Sequence, residues 1–389
     1  MERSLAHIET ISWIKPIEGA DKIELCGVLG WQCVIAKKDN FKVGDKIIYV
    51  EIDSVMLPKP EFEFLKDRNY RVKTIKLRGM VSQGLVLPLS SLNGNCKSPD
   101  EYSIGEDVTE LLGVTKYLTP SERNELYQEE KVIKNGKNKL KKFMMKYSWF
   151  RKLVFKKKQS NEFPSWFSKS DETRIQSLNW DKFYEAFKDK EVYITEKVDG
   201  QNSNFTSTYI PNNIPIIGKY LPKKWQFIVA SRNLINNDKN SLYWKVARKY
   251  NIEQILKENP TLTIQGEQCD TKVQGNKYKV TEPMFWVFNI IDHEKNYHYS
   301  IEEMQVFCQN YNLNLVPILN NTVKGSKDNI FPKLSDIGST VEDFLEFSKG
   351  KSILADIQRE GVVIRCIENG KKLLSFKVIN NDFLLKYND

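Results

Sequence analysis

Thr195-Glu196-Lys197-Val198-Asp199-Gly200-Gln201-Asn202 sits near the middle of a 389-residue chain and directly follows the apolar run Val192-Tyr193-Ile194. The run reads as a short strand over 191–196, and the Asp-Gly pair reads as a turn. A lysine at a strand end, followed by such a turn, can aim its amine into a cleft. Taken alone, the stretch reads as well as an ordinary surface turn, because a four-residue pattern is weak in a lysine-rich chain.

Four later segments change its weight. Ser231-Arg232-Asn233 ends the apolar run Phe227-Ile228-Val229-Ala230, and Ile264-Gln265-Gly266-Glu267 ends another. Phe285-Trp286-Val287-Phe288-Asn289-Ile290 is an aromatic strand candidate. Glu360-Gly361-Val362-Val363-Ile364-Arg365 leads through a turn at Asn369-Gly370 to Ser375-Phe376-Lys377. Around them, strands are expected over 191–196, 203–209, 226–231, 261–268, 284–291, 361–367 and 372–379. Helices are expected over 180–189, 241–257, 300–311 and 341–349. Strands and helices do not alternate regularly, so an α+β domain built on antiparallel sheets is expected rather than a doubly wound parallel sheet.

The first 115 residues read differently. HIETISWI, KIELCGVL, WQCVIAKK, KIIYVEI, YRVKTIKL and GLVLPL are short apolar or alternating runs divided by turn signals. Such spacing predicts a small barrel or sandwich, and a five-stranded OB-like barrel fits the length. The expected organisation is an OB-like nucleic-acid-binding domain over 1–115, a basic linker or arm over 116–160, and a catalytic domain over 161–389.

Charge and composition bound the partners. The formal net charge is +9. Residues 131–158 hold twelve Lys/Arg and no Asp/Glu; 59 less these twelve leaves 47 basic against 50 acidic residues in the rest. The positive character is therefore local. A local patch with interleaved aromatics (KKFMMKYSWFRKLVFKKK) suits a polyanion, although it also reads as a solvated linker face. No apolar run is long enough for a membrane span and the N-terminus carries no signal-peptide pattern, so an intracellular protein, in cytoplasm or nucleus, is expected. Six scattered cysteines and three histidines, none in a shared motif, argue against a zinc site. His7, His293 and His298 are expected at the surface or in turns.

Jointly, the order and spacing of these segments resemble the covalent nucleotidyltransferase superfamily of polynucleotide ligases and RNA capping enzymes. Within it the chain resembles the ATP-dependent RNA ligases that carry an OB-like domain before the adenylyltransferase domain. The resemblance covers most of the chain. GADKIELCGVLGWQCVIAKKDNFKVGDKIIYVEIDSV and IKLRGMVSQGLVLPL look like that OB module, and FPSWFSKSDETRIQSL (163–178) resembles the lead-in before the nucleophile. The resemblance implies that Lys197 attacks ATP to give lysyl-AMP, passes AMP to an RNA 5′-phosphate, and has a 3′-hydroxyl displace it to seal breaks or nicks. It implies catalytic roles for Lys197, Lys377 and Glu360. Nucleotide contacts fall to Glu196, Asn202, Arg232, Glu267, Phe288 and Lys377, with Phe288 stacking on adenine and Glu267 on the ribose. Glu360 would hold Mg²⁺ or Mn²⁺, and the protein would act as a monomer. The physical demand agrees: phosphoryl-type transfer needs positioning and charge stabilisation. A lysine nucleophile must be neutral, which burial and a neighbouring cation favour.

Two departures stand out. Many relatives have Lys-x-Lys where this chain has Ser375-Phe376-Lys377, which implies either a less efficient step or another cation that compensates, Lys371 and the basic segment being the candidates. The chain also ends twelve residues after Lys377, which argues against a DNA ligase or capping guanylyltransferase with a further C-terminal domain. A catalytically impaired OB-type nucleic-acid-binding protein is the alternative from another class.

Overall fold

The computed structural model describes residues 4–92, 101–118, 167, 170–210, 222–232, 234–323 and 331–387. Most of the basic segment, including all of 131–158, lies outside them. The chain divides into two compact units, 1–160 and 161–389.

In the first unit, β1 (Ala6–Pro16), β2 (Ile23–Val28), β3 (Trp31–Ala36) and β4 (Lys46–Val50) join β8 (Leu85–Leu87) in a five-stranded sheet of order β3-β2-β1-β4-β8. All its pairings are antiparallel. This is the expected OB barrel. A register shift between Ile11 and Trp13 bends β1, as a bulge does in a strand that must curve. Alternation serves two cores at once. Ile47 and Tyr49 join Ile11, Val28 and Trp31 in one cluster, while Ile48 and Val50 join Ile8, Phe62 and Leu65 in another. That is why KIIYV reads as an unbroken apolar run. The short pairs β5 (Ser54–Val55) with β9 (Thr115–Lys116), and β6 (Ile75–Leu77) with β7 (Met80–Ser82), complete the unit with α1 (Thr109–Leu112). Because β9 reaches Lys116 and Tyr117 bonds back to Asp53, this unit runs slightly past the boundary at 115 read from the sequence.

Among its described residues the second unit has two sheets. The first, in the order β10-β19-β18-β11, contains β10 (Thr173–Arg174), β11 (Tyr193–Glu196), β18 (Gly361–Glu368) and β19 (Lys371–Ile379). The second runs β13-β12-β14-β15-β16, with β12 (Gln201–Ile210), β13 (Lys224–Ala230), β14 (Leu262–Cys269), β15 (Met284–Asp292) and β16 (Tyr297–His298); β17 (Asn314–Leu315) pairs β15. Pairing is antiparallel except for β10 with β19 and β17 with β15. Each sheet buries one apolar face under helices. Ile194, Val362, Ile364, Phe376 and Val378 pack with residues of α2 (Trp180–Phe187), α6 (Leu334–Ile337) and α7 (Val341–Phe347). Phe205, Ile264, Phe285, Val287 and Ile290 pack with α3 (Leu242–Lys249), α4 (Ile252–Glu258) and α5 (Ile301–Asn310). The single helix expected over 241–257 is two, because Asn251 takes a left-handed conformation (φ 53°) that asparagine tolerates better than most residues. The chain closes with α8 (Asn381–Tyr387). Among the described residues no helix is long and apolar enough to cross a membrane.

His7 corrects one expectation. It lies buried on β1, 8% exposed, with Nδ1 2.9 Å from Glu9 and Nε2 3.6 Å from Glu51. Burial pushes its pKa down, but the bonds and charges of Glu51 and Glu9 outweigh this and raise it from 6.5 to about 9. A raised folded-state pKa stabilises fully below the unfolded value, and the gain is lost as pH rises through the folded one. The pair of values implies about 3 kcal/mol at pH 6, fading between pH 6.5 and 9. Thermal unfolding of the full chain should therefore show the barrel's transition temperature falling across that window. His7→Gln should lower it at pH 6 and flatten the slope; an unchanged slope in that variant would remove His7 from this role.

Candidate functional site

The two sheets of the second unit keep polar faces opposite their helix-covered ones, and these polar faces line one cleft. It holds about 520 Å³ of empty space, part of it open to solvent, and its lining includes Lys197, Asn202, Arg232, Glu267, Phe288 and Lys377. The period of two assigns the faces. In β18, Val362 and Ile364 go to the core, so Val363 and Arg365 go to the cleft. In β19, Leu374, Phe376 and Val378 go to the core, leaving Ser375 and Lys377 on the other face. In β15, Phe285 and Val287 face the helices but so does Ile290, a parity change that needs an extra residue. The register supplies it: Gln265 pairs Asn289 and Gly266 pairs Val287, leaving Phe288 as the bulged residue. Phe288 keeps the cleft-facing parity set by Phe285 and Val287, and the bulge lets Ile290 return to the core.

Lys197 follows β11 directly. Its backbone N–H donates to the Gly361 carbonyl (3.0 Å), which fixes it beside Glu360. Its Nζ donates to both Glu360 oxygens, at 2.8 and 2.7 Å. Two nearby glycines allow tight packing of the turn on β14 and of β18 on β19. A Cβ on Gly200 would lie 2.5 Å from the Gln268 carbonyl oxygen, and one on Gly361 would lie 2.1 Å from that of Val378. The expectation of a depressed lysine pKa is not met. Burial pushes the amine down, but Glu360, Glu267 and Asp199 together raise it above 10.5. Lys197 is therefore held here as an ammonium.

The other cations are also matched with carboxylates. Lys377 Nζ donates to Asp171 Oδ1 (2.8 Å). Burial lowers its pKa to about 8 against the opposing pull of Asp171, with Arg174 adding to the fall. Arg365 bonds Glu172 at 3.0 Å. Arg232 acts electrostatically on Glu267, whose pKa burial lifts to about 7 although Lys197 and Arg232 pull it down. Asn202, directly across from Glu267 on β12, accepts from Ser170 Oγ (2.9 Å) and Asn204 Nδ2 (2.8 Å). Lys197, Glu360, Asn202, Arg232, Glu267, Phe288 and Lys377 are thus brought to one cleft.

Glu196 also lines it, but its carboxylate has other work. It accepts from Ser352 Oγ (2.5 Å) and from the Ile353 N–H (2.8 Å), tying down the loop that leads into Glu360. The nucleotide-contacting role read for it from sequence is not one its carboxylate is placed to serve in this state. Sequence reasoning missed Asp171, Glu172 and Arg365. The signal for Arg365 was available, since it shares strand parity with Val363 and sits five residues after Glu360. The side chain that faces Ser375 is Arg365, not Lys371, which is exposed; the basic segment lies outside the described residues.

A family model described as RNA ligase matches residues 190–379, and an OB-fold domain model matches residues 5–89. No curated protein matches the sequence. Among solved structures, the Naegleria gruberi RNA ligase with PPi is 29% identical with a TM-score of 0.74, and the match covers 100% of both chains. A lysine-to-alanine mutant of that ligase with ATP and Mn is 28% identical with a TM-score of 0.72, covering 99% of each chain. A glutamate-to-alanine mutant with AMP and Mn is 27% identical with a TM-score of 0.70, covering 99% of each.

Removing the Glu196 carboxylate strips two hydrogen bonds from a buried charged acceptor. Glu196→Ala should lower stability by about 2 kcal/mol or more in chemical denaturation. Ser352→Ala should cost less, since the Ile353 bond survives. Equal stability of wild type and Glu196→Ala would show that the carboxylate does not hold the loop.

Proposed function

We infer the chemistry from the premise that the chain belongs to the RNA ligase family and carries an OB-fold domain ahead of the catalytic one. It is an ATP-dependent RNA ligase. We propose that Lys197 Nζ attacks the α-phosphate of ATP, forming an N–P bond as the bond to the β-phosphate breaks and pyrophosphate leaves. AMP then passes to the 5′-phosphate of an RNA end. A 3′-hydroxyl attacks that activated phosphate and releases AMP. The covalent stage divides one difficult displacement into easier ones.

The observation that carries this reading is the contact of Lys197 with Glu360, inside a cleft that also holds Lys377, Glu267 and Phe288. Lys197 must leave its carboxylate and shed a proton before it can attack. Lys377 and Arg232 are the cations available to phosphate, Glu267 can accept from ribose hydroxyls, and Phe288 offers a ring to adenine. Among the described residues no cluster of three or more ligands stands ready for a metal, which fits a hard cation bound by one carboxylate together with phosphate and water. Glu360 would hold Mg²⁺ or Mn²⁺ there, and the ion supplies charge neutralisation at the phosphates. The Mn in the Naegleria ligase structures supports that reading. The proposed setting is a monomer inside the cell that seals broken or nicked RNA bearing 5′-phosphate and 3′-hydroxyl ends.

Purified protein given labelled ATP and a divalent cation should form a covalent protein–AMP adduct that survives denaturation. Lys197→Ala should abolish it. GTP should label at least tenfold less. Matched RNA, DNA and hybrid nicks should then be sealed with a preference for an RNA 3′-hydroxyl; no adduct with any nucleotide would sink the reading.

The basic segment 131–158 suits phosphate contacts by composition. Deleting it should leave adduct formation intact, weaken RNA binding, and flatten its dependence on salt. Binding unchanged across a salt titration would remove the segment from substrate capture.

A further inference from the structure

Arg365 is the most heavily engaged cation in the cleft that no assigned role uses. It is 3% exposed. Its Nε donates to Ser375 Oγ (3.1 Å) and Glu172 Oε1 (3.2 Å), its Nη2 to the same Glu172 oxygen (3.0 Å), and its Nη1 to the Phe288 carbonyl (2.6 Å). The guanidinium carbon is 5.6 Å from the centre of the Phe288 ring.

The last two contacts bear on the bulge. Phe288 is the residue that the β14–β15 register skips, and its carbonyl accepts from Arg365 Nη1. A buried carbonyl left without a donor is costly. Arg365 supplies the donor, and its position is fixed from the far side by Glu172. The guanidinium is a rigid planar fork that can serve three acceptors at set angles. A lysine ammonium has the donors but not the fixed plane.

We propose that Arg365 is a positioning residue for the Phe288 ring: it caps the bulge carbonyl and abuts the ring, and so holds the surface on which the base of the nucleotide stacks. The same contact accounts for Ser375. Arg365 and Ser375 are direct cross-strand partners on β18 and β19, and such partners stand about 5 Å apart at Cβ. A lysine at 375 would set a second positive charge against the buried guanidinium. A serine hydroxyl instead accepts from it. The positive charge at this level of the sheet comes from β18 rather than β19.

This inference rests on Phe288 stacking on the adenine, so its test reads nucleotide binding as well as chemistry. Arg365→Gln alone would strand the Glu172 carboxylate and can fail to fold, so the principal variant is Arg365→Gln with Glu172→Gln. ATP affinity is measured by calorimetry in a Lys197→Ala background, where no adduct forms, with and without Phe288→Ala. Phe288→Ala and the Arg365/Glu172 pair of changes should each weaken ATP binding about tenfold. Combined, they should be little worse than either alone, since both act through one ring. Multiplied effects, near a hundredfold, would overturn the proposal, as would unchanged affinity in the Arg365/Glu172 variant. Arg365→Lys should recover less than half of the loss.

Ser375→Lys in otherwise wild-type protein should slow adduct formation at least fivefold, and adding Arg365→Gln should restore part of it. A fully active Ser375→Lys protein would overturn the explanation of Ser375. Wild-type protein that binds ATP with this pattern but forms no adduct would sink the ligase reading while leaving the positioning role standing. Wild-type protein that binds no ATP would overturn both.

Discussion

The Lys197–Glu360 ion pair is the constraint around which the cleft is arranged. The two residues are 163 positions apart, yet the antiparallel register of β11 with β18 sets them side by side, and the Lys197 N–H to Gly361 carbonyl bond extends that pairing by one residue. Around them, glycines at 200 and 361 let the turn pack closely on β14 and β18 on β19. A partly buried ammonium needs its counter-ion, and a partly buried carboxylate needs its own. Each partner is therefore a condition of the other's presence. For the proposed reaction the consequence is direct: Lys197 is held as an ammonium, and would become a nucleophile only when something else takes up the charge of Glu360.

The same logic extends along the cleft. Lys377 is matched with Asp171, Arg365 with Glu172, and Arg232 acts on Glu267. A cleft that collects cations for a triphosphate would repel itself when empty, and the carboxylates relieve that repulsion. Asp171 and Glu172 are consecutive and lie just before β10, so one short segment attends to two of the cations. In the proposed reaction, nucleotide binding is an exchange of carboxylate partners for phosphate ones. Such exchange costs desolvation on both sides and favours a ligand with several charges held at fixed spacing.

Much of this was legible in the sequence. The strands around Lys197, Glu267 and Glu360 could be read because each alternates apolar with polar residues, or is apolar on both faces, between clear turn signals. Parity then told which residues share a face, and it could have found Arg365. Other features could not be read because they depend on a partner strand or a packed neighbour. The bulge at Phe288 exists only in the pairing of β14 with β15. The break at Asn251 interrupts a pattern whose helical period runs through it. Glu196 looks like part of the nucleophile motif, and only the fold shows Ser352 and Ile353 receiving its carboxylate. His7 acquires its raised pKa from Glu51, 44 positions away, and from Glu9 on the same strand, and only the fold shows the first.

Backing each sheet with helices has a further effect on the site. One face of every strand is committed to an apolar core, so the remaining face has no choice but to point at the cleft. Charged groups at strand positions 365, 377 and 267 are then aimed by the same packing that stabilises the domain, with no separate device to orient them. Phe288 follows the same rule, since Phe285 and Val287 are in the core and alternation turns the next ring to the cleft. The ladder register breaks at this residue, and a break inside a sheet leaves backbone groups that must be satisfied. The side chain that satisfies the Phe288 carbonyl comes from the opposite sheet. The wall that carries most of the cations is in this way bonded to the wall that carries the aromatic ring, and a shift of either sheet is felt at both ends of whatever the cleft binds.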